Sequence, residues 1–436
     1  MFVSVFATTS TKSSNEHLIE ANIVYKPGFI KSSLLIAAGS AVLTSAAFAQ
    51  QMGTYSPTGT PSDEEGTAAQ RAGAIPLGPI NAYPSIGLAL KHDDNLFSTP
   101  NNTTSDTLTI VTPSVRLEAK QGANTYSLVA GSTLGRYNTS TADNYTNYNV
   151  NALADFDLSA RFRAKLRADY IDAQDPRGST NNAVSSVPDR YHQTAVGSIV
   201  SYGAAGAQGR LDFELGQLER HYYNNRSTTA TEDRNNTDVG ATFFWRIAPK
   251  TSLLLQAKHT DIEYTDPAST LGSTENGLLG GVTWEATAKT TGIFKLGMVK
   301  KSFDDPARAE STSTSWLGAI KWSPRTYSTV DFNLTRLPAE TTGGVGNFID
   351  RTITGALWTH QWSSQVSTAA LASYGTDKYE GVDRTDNIQN YGVKATYSMR
   401  RWLSFGADYT YTQRDSNDNT NDFKRNTFML FVNATL

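Results

Sequence analysis

Residues 148–170 read Tyr-Asn-Val-Asn-Ala-Leu-Ala-Asp-Phe-Asp-Leu-Ser-Ala-Arg-Phe-Arg-Ala-Lys-Leu-Arg-Ala-Asp-Tyr. Val150, Ala152, Ala154, Phe156 and Leu158 alternate with Asn151, Asp155 and Asp157. After a break, Phe162, Ala164, Leu166, Ala168 and Tyr170 alternate with Arg163, Lys165, Arg167 and Asp169. A strict period of two belongs to strands with one apolar and one polar face. A turn over Ser159, Ala160 and Arg161 sets Leu158 opposite Phe162, Asp157 opposite Arg163 and Asp155 opposite Lys165, so both faces pair like with like.

The charged face decides what such a hairpin belongs to. A soluble sandwich buries its apolar face and shows scattered polar groups to water, so a ladder of charges on one hairpin face is unusual there. A transmembrane barrel inverts the arrangement: apolar side chains meet lipid, and charges line a wet lumen where opposite signs pair across strands.

Working outward, the alternation recurs from Tyr83 to the last residue. Ile86, Leu88 and Leu90 mark one strand, Val111, Pro113, Val115 and Leu117 the next, and Tyr126, Leu128, Ala130 and Leu134 a third. Beyond the hairpin, strands are expected near 191–202, 210–222, 238–247, 252–264, 275–286, 292–303, 314–322, 327–337, 348–362, 365–379, 390–399, 402–413 and 425–436. The fold class predicted is all-β: a transmembrane antiparallel up-and-down β-barrel of about 18 strands, with 16 the alternative, since bacterial single-chain barrels use even numbers.

Connections alternate in length. Short ones near Gln121, Ser159, Ala204, Pro249, Lys289, Pro324, Ser363 and Arg400 follow long polar ones near Asn101, Thr141, Gly178, Thr229, Ala268, Ala307, Gly343, Asp383 and Asn417. This is the asymmetry of outer-membrane barrels, and it predicts periplasmic turns, outer loops and both termini in the periplasm. Trp245, Trp284, Trp322, Trp362 and Trp402 fall near the turns, and Tyr170, Tyr222, Tyr264, Phe303 and Tyr379 near the loops, as two interfacial girdles require. The last strand alternates Phe428, Leu430, Val432, Ala434 and Leu436, similar to a barrel-assembly signal except that it ends in leucine rather than an aromatic residue.

The N-terminal segment reads as an address. Lys26 and Lys31 precede a short apolar stretch that ends in Ala47-Phe48-Ala49, so residues 1–49 are expected to be a secretory signal peptide cleaved after Ala49. Residues 1–25 lack a pattern, which suggests an over-long extension and a true start near Val24. Residues 50–80, rich in Gly, Pro, Thr and Ala, read as a flexible periplasmic leader, and residues 81–436 as the barrel.

Composition excludes other classes. After residue 50 no apolar run approaches the ~18 residues of a membrane helix. A net charge of −3 argues against a nucleic-acid partner, and the absence of cysteine removes disulfides, thiolate metal sites and thiol nucleophiles. No pair of His has metal-binding spacing, and no nucleophile elbow or phosphate loop is present, so no metal, cofactor or catalytic residue is assigned and the chain does not read as an enzyme. His221, beside Tyr222 and Tyr223, is the best-placed candidate for rim catalysis, but a lone rim histidine is more often a solvated interface residue. Asp175-Pro176, Asp266-Pro267 and Asp305-Pro306 could form a carboxylate ring, or simply stop strands and open turns; the plainer reading is preferred.

Alternation points Arg116, Arg163, Lys165, Arg167, Arg210, Arg246, Lys258, Lys295 and Lys321 inward, with Lys91, Lys120, Lys301 and Lys394. Against them stand Asp155 and Asp157, with Glu118, Asp169, Asp212, Glu214, Glu285, Asp331, Asp350 and Asp408. These are the expected pore-lining residues. A slight basic excess would favour anions, whereas complete pairing would only hold the wall.

At residues 87–97, Gly-Leu-Ala-Leu-Lys-His-Asp-Asp-Asn-Leu-Phe, and at the following Asp106 and Val111-Thr-Pro-Ser-Val115, the chain resembles the β-barrel porin family found with exopolysaccharide and capsule export genes in Gram-negative bacteria. The resemblance implies an outer-membrane protein that helps a polysaccharide cross or acts as a diffusion pore, with outer-membrane lipid as its surroundings and polysaccharide or periplasmic export components as partners. It supplies no set of functional residues. Two functions follow as expectations: a channel for polysaccharide or for small anionic or sugar solutes, and a plugged structural or adhesive barrel, closed by the leader or by residues 172–189, whose loops bind a glycan or another partner.

Overall fold

In the computed structural model, residues 73–435 are described apart from Ala183, Ala205 and Ala288. The expected signal peptide, its cleavage site and all but the end of the leader lie outside the described residues. The strands are β1 (Ile75–Leu77), β2 (Ile80–Asp93), β3 (Asp106–Gln121), β4 (Asn124–Tyr137), β5 (Tyr145–Asp157), β6 (Phe162–Gln174), β7 (Arg190–Tyr202), β8 (Gly209–Tyr222), β9 (Arg234–Ala248) and β10 (Thr251–Tyr264). They continue as β11 (Ser273–Thr287), β12 (Thr290–Phe303), β13 (Ser311–Arg325), β14 (Ser328–Ala339), β15 (Phe348–Gln361), β16 (Val366–Glu380), β17 (Arg384–Arg400), β18 (Leu403–Ser416) and β19 (Phe423–Thr435).

The hairpin of β5 and β6 has the register its alternation demands: Asp157 opposes Arg163, Asp155 opposes Lys165, and the Leu158 amide donates to the Phe162 carbonyl at 3.1 Å. Each later strand pairs with the next, and β19 pairs with β2, Leu430 opposite Leu90 and Met429 opposite Lys91, which closes the ring. The result is a closed antiparallel barrel of eighteen strands, β2 to β19, plus one extra strand, because β1 only folds back on β2 through Gly78 at φ +66°. Closure leaves no unpaired edge within the ring.

Residues opposed in register share a face, so one face can be followed around the wall. Leu88, Leu215, Leu255, Met298, Val393 and Leu430 are all about half exposed on the outside, an apolar surface suited to lipid. Two inward glycines admit a ring from the neighbouring strand. A Cβ on Gly406 would collide with Phe431, and one on Gly135 with Tyr145, each its direct cross-strand partner.

Three expectations need correction. The connection expected to be long near Asp383 is a tight turn over residues 381–383, made by Gly381 at φ +89°; β16 and β17 therefore run on where a loop was expected, held by Arg351, Asp377, Arg384 and Asp386. Asp350 faces outward in register with Lys378 and ion-pairs with Arg336 at 2.7 Å, because β15 reaches beyond the apolar band to where the outer face is polar. The third concerns the loop-side aromatics.

Candidate constriction at the barrel mouth

At the end where the connections are short, Trp245, Trp322, Trp362 and Trp402 are exposed on the outside, as a girdle requires. Of the five aromatics expected in a girdle at the other end, only Tyr170 does the same; Tyr222, Tyr264, Phe303 and Tyr379 lie on the inward face. The parity of their strands dictates it. Phe213 and Leu215 point outward, so Tyr222, an odd number of residues further on, must point in.

These rings form an inner belt under the mouth, and charged groups brace it. Arg220 stacks over Tyr191 at 4.3 Å, Arg384 over Tyr379 at 4.4 Å and Arg414 over Phe423 at 4.8 Å. Lys301, almost wholly buried, reaches Glu275 at 2.9 Å and Glu340 at 2.7 Å, while the Tyr264 hydroxyl donates to Glu340 at 2.7 Å. Burial works against the Glu340 charge, but Lys301, Arg234 and the hydrogen bond from Tyr264 together outweigh it and hold this carboxyl below the usual range.

Across this belt runs the loop of residues 175–189. Arg177 donates to Asp143 at 2.7 Å and lies over the Phe97 ring, tying the loop to two neighbouring loops. Further along, the Asn181 side-chain oxygen accepts from Arg384 at 2.9 Å and from the Tyr379 hydroxyl at 3.2 Å, and the Gly178 carbonyl accepts from Arg414 at 3.1 Å. Arg384 and Arg414 stand on β17 and β18, and even the shorter way round the ring from β6 passes β5, β4, β3, β2 and β19 before reaching them. The loop therefore spans the mouth instead of lying on its own rim. Two glycines permit the close approaches: Gly178 at φ +73° lies against Ser98, and Gly343 at φ +63° against the Asn181 carbonyl.

Glu232 joins three loops. It accepts from the Gly343 amide at 2.8 Å and the Asn182 side chain at 3.4 Å. Burial pushes its carboxyl up to about 7 despite those donors. Asp175 at the start of the crossing loop is pushed up for the same reason, against the pull of Arg220 and a 2.9 Å hydrogen bond from Tyr222.

Below the belt, the register puts the expected lumen cations on the inward face, mostly against partners. Lys165 meets Asp155 at 3.2 Å, Arg167 meets Asp169 at 2.5 Å, Arg116 meets Glu118 at 3.2 Å, Arg210 meets Asp212 at 3.0 Å and Lys258 meets Asp238 at 2.7 Å. Lys295 donates to Gln256 at 2.9 Å, Lys321 opposes Asp331, Arg163 opposes Asp157, and Arg246 opposes Ser252. Pairing thus dominates over a free basic excess. His221 faces outward beside His192, its ring 2.7 Å from Asp233. Asp266 and Asp305 accept from amides two residues on at 2.9 Å, which is turn chemistry, not a carboxylate ring. Among the described residues no cluster has a metal-binding set. The sequence reading missed Arg220, Arg351, Asp377, Arg384, Arg414 and Glu232; continuing each strand's parity past the apolar band would have found all but Glu232, which sits in a loop.

An apolar exterior, a charged and internally paired wall, and a closed even-numbered ring define the class: a porin-like outer-membrane β-barrel. Residues 71–436 match the model of the family described as "Putative beta-barrel porin 2", and the chain belongs to that family. Among solved structures it is similar to OprD of Pseudomonas aeruginosa, at 14% identity over 81% of this chain and 95% of that one, TM-score 0.44. It is also similar to OpdK of the same organism (14%, 81% and 99%, TM-score 0.46) and to a BenF-like porin of Pseudomonas fluorescens Pf-5 (11%, 81% and 99%, TM-score 0.45). No curated protein matches the chain.

Proposed function

We propose that this protein is a diffusion channel of the Gram-negative outer membrane for sugar or polysaccharide, exported by a cleaved signal peptide. Its long loops face outward, its turns and termini face the periplasm, and residues 175–189 set its narrowest point. The observation that carries this reading is the tie between Asn181 and Arg384 across the mouth. A loop held by polar contacts narrows a lumen while remaining displaceable. Membership of a porin family supports transport, and the resemblance to barrels found with export genes supports a polysaccharide. The lumen-facing Arg163, Lys165, Arg210 and Lys258 are proposed to line the path. The same ties favour a second reading, a plugged barrel whose loops bind a glycan.

Single-channel recording of the purified chain, with residues 177–187 either present or replaced by a short Gly-Ser linker, tests both readings. A conducting wild type whose conductance rises on loop removal supports the channel. Silence in both forms favours the plugged barrel and overturns the proposal.

A further inference from the structure

The two ends of the barrel carry opposite charge. Each of the nine loops on the long-loop side contains Asp or Glu, and their only Lys or Arg residues are Arg177, Arg226 and Arg308. At the other end no turn contains Asp or Glu among the described residues, while Arg161, Lys250, Lys289, Arg325, Arg400 and Arg401 are all exposed there. Acids on the wall just inside that rim face cations: Glu118 meets Arg116, Asp155 meets Lys165 and Asp212 meets Arg210, while Asp157 opposes Arg163 in register and the Glu285 amide donates to the Lys250 carbonyl, so the exposed turn cations outnumber the acids near them.

We infer that the turn-side rim is a docking ring for a polyanionic chain, which it presents to the lumen. The inference rests on the channel reading for its direction, turn side to loop side, but not for the binding itself. The cations are spread over turns from β5 round to β18, so a small anion meets one or two of them, whereas a polymer engages several and gains by multivalency. Charge rings at a mouth concentrate counter-charged solutes, and the acidic loops disfavour the same polymer at the opposite end. Phospholipid headgroups could meet the outer turns. They cannot meet Arg163 and Arg246, whose register places them on the inward face, and these continue the basic surface toward the axis.

The test uses the full chain in neutral detergent with fluorescent oligogalacturonate, and separately with inorganic polyphosphate, as probes. At least one probe should bind, with affinity falling about tenfold or more between about 50 and 200 mM salt. K250E/R400E/R401E should weaken that binding about tenfold or more, whereas D304K/D305K on the loop side should not weaken it. A turn-side variant that folds and binds like the wild type overturns the inference. So does a variant that changes only insertion into vesicles of anionic phospholipid, since the ring would then serve headgroups. Planar-bilayer recordings separate the two claims. No current without polymer removes the channel reading and leaves the binding result standing. Current blocked equally from both sides, or only from the loop side, removes the docking ring.

Discussion

Lys301 and Glu232 show how single residues hold the mouth. Lys301 bridges Glu275 and Glu340, so Lys301→Met removes the cation that both buried carboxylates touch. Breaking such a pair from one side costs about 3–5 kcal/mol, and urea titration of the refolded barrel in micelles should show a loss of that size. A wild-type midpoint would mean that water reaches the pair. For Glu232 the sign follows from the raised value. The folded arrangement holds the proton more tightly than the unfolded chain does, so no penalty exists below about 4.5, it grows as the pH rises, and it is complete above about 7. Hydrogen exchange of residues 175–189 should therefore quicken between pH 5 and pH 8 in the wild type and change less in Glu232→Gln, which keeps a neutral side chain throughout. Equal pH dependence in both would assign the effect to another group, with Asp175 the next candidate.

For the strands, the informative comparison is between the two faces of one hairpin. Leu215 on β8 is exposed to the lipid side, while Ile199 on β7 lies inward between Lys165 and Glu214 in register. Leu215→Arg should destabilise folding into phosphatidylcholine vesicles by about 2–4 kcal/mol if it lies near the midplane, whereas Ile199→Arg, beside Glu214, should cost less. The reverse order would turn the barrel inside out. These faces were legible in the sequence wherever apolar and polar residues alternate. They were misread where strands pass the apolar band, because the outer face becomes polar there and alternation of character stops while alternation of direction continues. Asp350 and Tyr222 both lie past that band, where residue character no longer tells the two faces apart.

At the scale of the whole molecule, acidic loops and basic turns set an electrical axis along the barrel. A channel with this axis should pass asymmetric current at low salt in membranes where it inserts in one direction. The asymmetry should shrink as ionic strength approaches about 1 M, where the screening length is about 3 Å. A symmetric current–voltage curve at low salt would show that the rims do not govern ion entry. The axis needs no tertiary information beyond which connections share an end, and the alternation of loop length supplies that.

The sequence by itself determined the strands, the hairpin register of Asp155 and Lys165, the two-ended character of the connections and the charged lumen wall. Each follows from a repeat of two residues and from neighbours along the chain. Only the tertiary structure decided that β19 closes on β2, that the loop-side aromatics turn inward as a belt, and that Asn181 crosses to Arg384. Those contacts join residues far apart in the chain, and no local period encodes which distant group a polar loop will find.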